Sequence, residues 1–213
     1  MALTTYTKVR LLTNISTSDI SDANITSMIS EATKELNRMI NTKVVREQVS
    51  YIDSTRENTI DSSNTTFYVR NWEGKYLADM NNDGSVTTSD IIVYLVDSNG
   101  TETTPTISSI DHDDGKFTLT SAPTSGYRMY ITYEYSYKDV STPDPIVELA
   151  CTFLTASYCY AKLNIGRSPS LSFGSKRITR DMDSSSFYYK KAMDLISTIN
   201  EGMYAYADST ETF

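Results

Sequence analysis

The strongest chemical signal in the sequence is a polar run from Asp79 to Asp90. Counted from its first residue, the run carries acidic or amide oxygens at positions one, three, five and twelve, with glycine at position six. Hard cations such as Ca²⁺ are held by oxygen ligands at this spacing, and the glycine permits the sharp turn that brings them together. The alternative is an ordinary Asn/Asp-Gly turn in a chain rich in such residues. The residues concerned are Asp79, Asn81, Asp83, Gly84 and Asp90.

The same run resembles the calcium loop of dockerin modules and EF-hands. The resemblance implies side-chain ligands from the acidic and amide residues just named, a backbone carbonyl ligand from Ser85, and a direct or water-mediated contact from Thr87. It also implies a calcium ion with a structural rather than a sensing role. Aspartate at position twelve and the apolar Val86 match dockerins. However, the β-branched run Ile91–Val96 predicts a strand where a dockerin continues as a helix.

A second group of candidate ligands lies at 111–114, around His112, the single histidine of the chain. An ion site is one interpretation, and a hairpin turn with solvated charges is the favoured one. Because the chain has a single histidine, the sequence does not favour a histidine-centred triad or a zinc site. Because no catalytic constellation is evident, we expect no enzymatic activity.

The composition is that of a globular protein. The chain has 213 residues, of which 39% are hydrophobic and 22% charged, and its formal net charge is −8. This acidity argues against a non-specific duplex-DNA binder, which needs basic surface to neutralise phosphates. No apolar run predicts a signal peptide or membrane span, so we expect an intracellular protein without disulfides. Cys151 and Cys159 lie on one predicted helix about 12 Å apart, beyond disulfide reach.

The secondary-structure elements that position these residues are predicted in four consecutive parts of the chain. Residues 1–43 predict helices, the first capped by Thr5 and the second following Ser21. Residues 44–140 predict short strands, residues 141–203 predict helices again, and residues 204–213 form a polar tail with aromatic residues. Helices at both ends with strands between them predict an α+β fold, in which a helical bundle is interrupted by an antiparallel β insertion.

Two segments of this outline carry most of the apolar pattern. The run Tyr127–Tyr137 alternates, which predicts one packed face of a sheet. The helix Ile146–Leu163, capped by Asp144, is apolar nearly all round, as is typical of a helix in the middle of a bundle or at a subunit interface. A Gly/Ser/Pro loop over 166–174 precedes the last helix. The remaining predicted strands are Val44–Ile52, Thr66–Arg70, Ile91–Asp97 and Lys116–Thr120.

Three helical segments resemble head–tail connector (adaptor, or head completion) proteins of tailed phages and related archaeal viruses. They are the opening Tyr6–Thr13 with the helix that runs to Ile40, the central segment Pro145–Tyr158, and the last-helix segment Phe187–Ile196. The match covers the two helical parts, and its motifs are hydrophobic patterns rather than fixed chemistry. The central β insertion is larger than in minimal members of that family.

The resemblance implies a virion structural protein at the head–tail junction, assembled in the host cytoplasm. About a dozen copies would form a ring beneath the portal protein, extend the DNA channel and offer a docking surface to the tail or stopper. Genomic DNA would pass without sequence-specific binding, and acidic walls would weaken phosphate contacts. Two groups of candidate contact residues follow. DNA or portal contacts are expected from Arg167, Lys176, Arg177 and Arg180, and a docking tail from Tyr204, Tyr206 and Phe213.

A second interpretation remains open beside the adaptor. The chain has 16 tyrosines, and a calcium-stabilised β module could use an aromatic face to bind a carbohydrate or a protein. The flanking helices and the missing signal peptide count against this interpretation. The basic loop and the tail likewise have plainer interpretations, as solvated charge and as disordered chain.

Overall fold

The computed structural model describes residues 2–49, 58–69, 75–139, 143–165, 170–173, 176–179 and 184–208, with backbone only for 170–173, 176–179 and 201–208. The α+β prediction is confirmed, with helices flanking a central β region. The chain divides into two compact units. The β unit comprises Asn41–Thr142, and the helical unit comprises Ala2–Ile40 together with Pro143–Phe213.

The helical unit is built from the two ends of the chain. In the described residues its helices are α1 (Tyr6–Thr13), α2 (Asp22–Ile40), α3 (Pro145–Asn164) and α4 (Ser184–Asp208). The predicted caps form at Thr5, Ser21 and Asp144. Their side-chain oxygens accept hydrogen bonds from the amides of Lys8, Asn24 and Ile146, respectively. Such caps satisfy amides that the first turn of a helix leaves without partners.

Helix α3 lies in the middle of this unit, in contact with α1, α2 and α4. Its buried residues are spread around the helix rather than along one stripe, as the nearly uniform apolar sequence predicted. Cys151 and Cys159 are both free and buried on it, and burial raises the pKa of each thiol to about 11. These thiols are therefore poor nucleophiles at neutral pH.

The connection between α1 and α2 is fixed by Arg10. Its guanidinium donates to the Asp22 carboxylate (2.9 Å from Nε) and to the carbonyls of Ile15 and Ile20. Asp22 lies in the first turn of α2, where a negative charge is favourable. One half-buried cation therefore holds the turn between the two helices.

The β unit contains two antiparallel sheets in its described residues. In the larger sheet, β8 (Arg128–Ser136) is central, with β1 (Thr42–Gln48) on one side and β4 (Ile91–Val96) on the other. The strand β5 (Glu102–Thr103) pairs with β4, and β3 (Tyr76–Leu77) pairs with the end of β8. The smaller sheet has the order β2 (Thr66–Tyr68), β7 (Lys116–Leu119), β6 (Ile107–Asp111).

The core of the β unit is contributed by both sheets. Phe67 and Phe117 are fully buried and stack with ring centroids 5.9 Å apart across β2 and β7. On β8 the alternating face predicted from sequence is packed, because Met129, Ile131 and Tyr133 are 0–2% exposed. These residues belong to one buried hydrophobic cluster.

Several elements differ from the sequence-based outline. Four of the five predicted strands are present with slightly shorter bounds, whereas β1 begins at Thr42, inside the segment predicted as helical and two residues before the predicted Val44. The predicted strand residues 50–52 and Arg70 lie outside the described residues. The strands β3, β5 and β6 were missed because they are short and lack strong alternation. The segment predicted as a loop after α3 contains the hairpin β9 (Ser170–Phe173) and β10 (Lys176–Thr179). Helix α4 continues to Asp208, so the predicted tail from residue 204 begins as helix. No helix in the described ranges is long and apolar enough to cross a membrane.

Candidate functional site

The acidic loop interrupts what would otherwise be one continuous strand beside β8. Before the loop, the Ala78 amide donates to the Glu134 carbonyl at 2.9 Å. After the loop, Ile91 pairs with Tyr133, the preceding residue of β8. The loop from Asp79 to Asp90 therefore leaves the sheet after Ala78, opposite Glu134, and returns to it at Ile91, opposite Tyr133. This arrangement fixes the two ends of the loop close together.

Asp79, the first residue of the loop, is 5% exposed, and its carboxylate accepts hydrogen bonds from the turn that follows it. Its carboxylate accepts from the amides of Asp83 at 3.1 Å and Gly84 at 2.7 Å. Gly84 has φ +95°, a conformation open to glycine and strained for other residues. The position-six glycine therefore has the conformational role that the spacing predicted.

Asp90, at the exit, is 1% exposed and joins the two halves of the loop. Its carboxylate accepts from the Asn81 amide at 3.1 Å and from the Thr87 amide at 2.7 Å. Burial raises the pKa of Asp90, the nearby charge of Asp79 adds to the increase, and backbone hydrogen bonds oppose it. A cation beside the two carboxylates would favour the ionised form of Asp90.

The remaining polar side chains of the loop point at one another. The Asn81 oxygen accepts from the Asp83 amide at 2.8 Å, while the Asn81 amide nitrogen donates to Asp83 at 3.0 Å and to Ser89 at 2.9 Å. Ser85 donates its amide to the Asp83 carboxylate, and the Thr87 hydroxyl lies 2.7 Å from that of Ser89. The loop is thus closed by its own hydrogen bonds.

This donor set suits a hard cation, although the oxygens are not yet gathered around one point. Each carboxylate oxygen that accepts a hydrogen bond keeps a further lone pair for a ligand. Asp79 and Asp90 are buried, whereas Asn81 and Asp83 are exposed. In the described residues, the loop carboxylates do not form a group of three ligand atoms within 4.8 Å. An ion bound here would have to draw the exposed side chains toward the buried pair.

A different trio of metal-ligating side chains is close enough. His112, Asp113 and Asp139 place one ligand atom each within 4.8 Å of one another. The sequence pointed to His112 and its neighbours but favoured a solvated turn, and Asp139 was missed because it is distant in sequence. His112 and Asp113 do lie in the turn between β6 and β7, as predicted.

The residues expected to contact DNA or the portal are only partly described. Lys176 and Arg177 lie on β10, paired with Phe173 and Ser172 of β9, rather than in a loop. Arg167 and Arg180 fall outside the described residues. Of the expected docking tail, Tyr204 and Tyr206 lie on α4 and Phe213 is outside the described residues.

Apolar side chains remain exposed on the helical unit, a feature that the sequence pattern did not locate. On α3 and α4, Leu149, Phe187 and Tyr189 are 44%, 54% and 42% exposed. Leu11 and Ile165, at or near the ends of α1 and α3, are 77% and 79% exposed. Single exposed apolar residues are ordinary, whereas a contiguous group of them marks a surface that meets another protein.

On the β unit, Arg46 makes an unexpected contact with two tyrosines. Arg46 occupies a β-bulge of β1 with φ +55°, and its guanidinium lies 4.7 Å from the ring centroid of Tyr94 and 5.6 Å from that of Tyr130. Glu102 accepts from the same guanidinium at 2.5 Å. A left-handed arginine has no sequence signature of its own, since the bulge arises from strand pairing.

No family model matches this chain, and it has no significant match among curated proteins.

Proposed function

We propose that this protein is a head–tail adaptor of a tailed virus, which assembles into a ring between the portal and the tail or stopper. The observation that supports this proposal best is the set of apolar side chains left exposed on the helical unit. Leu149 lies on α3, and Phe187 and Tyr189 lie on α4, the two helices that also bury Leu154, Ala192 and Ile196. Neighbouring copies in a closed ring would cover them, since each copy presents the same surface to the next.

The acidity of the chain and the placement of its basic residues fit the same function. A net charge of −8 favours a channel through which DNA slides, because phosphates find few cations to bind. Lys176 and Arg177 share the short hairpin strand β10. We expect this hairpin to contact DNA or an acidic portal surface, and the end of α4 with Tyr204 and Tyr206 to serve as a docking element.

The experiment that tests the ring is a measurement of oligomeric state. Native mass spectrometry and electron microscopy of the purified chain should give a closed ring, alone or with the portal protein. Changing Leu149 and Phe187 to aspartate should prevent assembly, because each charge would be buried between copies. Val45→Asp, at a 64% exposed position of the β unit, is the matched control and should leave the ring intact. A chain that stays monomeric with and without the portal contradicts the proposal.

The basic hairpin has its own test. Reversing the charges of Lys176 and Arg177 to glutamate should weaken DNA retention or portal binding. Normal assembly and normal DNA retention in this variant would contradict the assigned role, while leaving the ring itself supported.

We further infer that the loop from Asp79 to Asp90 binds a structural calcium ion. The supporting observation is the pair of buried carboxylates at its two ends, which a cation would neutralise. Calcium would be held by Asp79, Asn81, Asp83 and Asp90, with Ser85 and Thr87 completing the shell. Because the loop ends are already fixed by β8, the ion would tighten a preformed loop rather than fold the unit.

Calorimetry with calcium tests this inference directly. One ion should bind per chain, and Asp83→Ala should abolish binding because it removes an exposed ligand without disturbing the buried pair. Asp61→Ala is the control, since this exposed aspartate lies in another turn of the same unit. Absence of calcium binding to the wild type would overturn the inference and leave the adaptor proposal untouched.

A further inference from the structure

The β unit brings one imidazole and two carboxylates together from distant parts of the chain. His112 and Asp113 lie in the turn that joins β6 to β7 in the smaller sheet. Asp139 follows the end of β8, the central strand of the larger sheet. The trio therefore spans the two sheets of the unit.

Two distances within the trio, both measured from His112, are close to those between ligands of a single small ion. His112 Nε2 lies 3.2 Å from Asp113 Oδ1 and 3.8 Å from Asp139 Oδ1. Two ligands bound to zinc at 2.0–2.1 Å with a tetrahedral angle stand about 3.3 Å apart. The observed separations bracket that value, so small side-chain adjustments would suffice to bind an ion.

A backbone hydrogen bond fixes the turn that carries His112 and Asp113. The His112 carbonyl accepts a hydrogen bond from the Leu77 amide at 3.0 Å, which ties the turn to β3. Asp139 is 22% exposed and His112 is 32% exposed at their side chains, whereas Asp113 is 62% exposed. One face of the trio is thus packed against protein and the other is open to water and to an entering ion.

We propose that His112, Asp113 and Asp139 form a binding site for a divalent transition-metal ion, of which zinc is the natural probe. One nitrogen and two oxygen donors suit Zn²⁺ and its neighbours in the first transition row better than Ca²⁺, which prefers oxygen ligands alone. Three protein ligands leave a coordination position for water. The bound ion would clip the β6–β7 turn to the segment after β8. This site shares no residue with the loop from Asp79 to Asp90.

The single histidine of the chain gives a direct readout. In untagged full-length protein, the imidazole resonances can come only from His112. Addition of Zn²⁺ should shift them with saturation at one ion per chain, and Ca²⁺ should leave them unchanged. Resonances that do not respond to Zn²⁺ would overturn the proposal without any variant.

Substitutions distinguish a specific metal site from general attraction of a cation to an acidic surface. Asp139→Asn should weaken zinc binding by at least about tenfold, and His112→Asn should abolish it. Asp114→Asn removes the same charge from the same turn outside the trio and should bind zinc normally. Asp83→Ala should also bind zinc normally, because its loss concerns only the calcium loop. Equal weakening by Asp139→Asn and Asp114→Asn would show that the trio is only an ion pair of His112 in an acidic surface.

Discussion

Asp79 and Asp90 face the same loop interior from its two ends, and both carboxylates are buried. Burial raises the pKa of Asp90, and the charge of Asp79 raises it further. Two buried like charges are stable only if a proton, a hydrogen-bond network or a cation compensates them. Here backbone amides provide part of that compensation.

The first prediction concerns pH in calcium-free buffer. A carboxyl group whose pKa is higher in the folded than in the unfolded state destabilises the fold when ionised. This destabilisation is present above the folded pKa and disappears as pH falls through it. The free energy of unfolding of the wild type should therefore rise, relative to Asp90→Asn, as the pH is lowered from the raised folded pKa of Asp90 toward the ordinary aspartate value of 3.8. Urea unfolding at a series of pH values measures the difference.

The Asp90→Asn reference removes the titration and adds a constant offset, because asparagine accepts one backbone hydrogen bond fewer. With calcium bound, lowering the pH should instead destabilise the wild type, since protons compete with the ion. A difference between wild type and Asp90→Asn that is constant across the pH series would contradict the account of Asp90.

The second prediction concerns the left-handed Arg46. A non-glycine residue with this φ costs about 1–2 kcal/mol, and the guanidinium's contacts with Tyr94, Tyr130 and Glu102 offset that cost. Arg46→Ala should lose the contacts and keep the strain, whereas Arg46→Gly loses the contacts and relieves the strain. The glycine variant should be more stable than the alanine variant by about 1 kcal/mol in chemical unfolding. The opposite order would mean that the bulge is not strained.

The third prediction concerns the aromatic core of the β unit. Phe117→Ala should destabilise the protein by about 3–5 kcal/mol, because Phe117 is fully buried against Phe67. Val45→Ala, at a position 64% exposed, should change stability by less than about 0.5 kcal/mol. Thermal or urea denaturation followed by circular dichroism gives both values. Similar effects from the two variants would show that Phe117 does not anchor this core.

The fourth prediction concerns a buried hydroxyl pair in the helical unit. Thr152 donates to the Glu148 carbonyl, and its oxygen lies 2.7 Å from the hydroxyl of Thr4. Thr152→Val should cost about 1–3 kcal/mol, since the Thr4 hydroxyl loses its acceptor while buried. Adding Thr4→Val should recover part of that loss, because neither hydroxyl then remains. A purely additive double variant would indicate that the two threonines do not interact.

The sequence was a good guide where local chemistry decides the structure. The caps Thr5 and Asp144, the amphipathic α2 and the alternating β8 follow from hydrogen-bonding side chains and periodicity. The turn residue Gly84 also adopts the predicted role. These features depend on neighbours within a few residues, so a single sequence contains them.

Features that depend on distant strands were missed. Short strands such as β3 form because β8 offers partners, and nothing in Tyr76–Leu77 alone requires it. Asp139 joins His112 only after the two sheets pack, and the β9–β10 hairpin lies in a segment whose glycines and serines predicted a loop. The acidic loop from Asp79 to Asp90 is recognisable in the sequence, but its position between two adjacent pairings of β8, at Glu134 and Tyr133, is not.

The split construction of the helical unit has a consequence for the order of events during synthesis. Helices α1 and α2 leave the ribosome first, yet the helix that buries their apolar faces, α3, follows only after the entire β unit. The β unit is one continuous stretch of the chain and can fold as soon as that stretch has emerged. We therefore expect α1 and α2 to expose apolar surface until α3 has been synthesised. Nascent chains arrested before Pro145 should bind chaperones or aggregate, although their β unit has already folded.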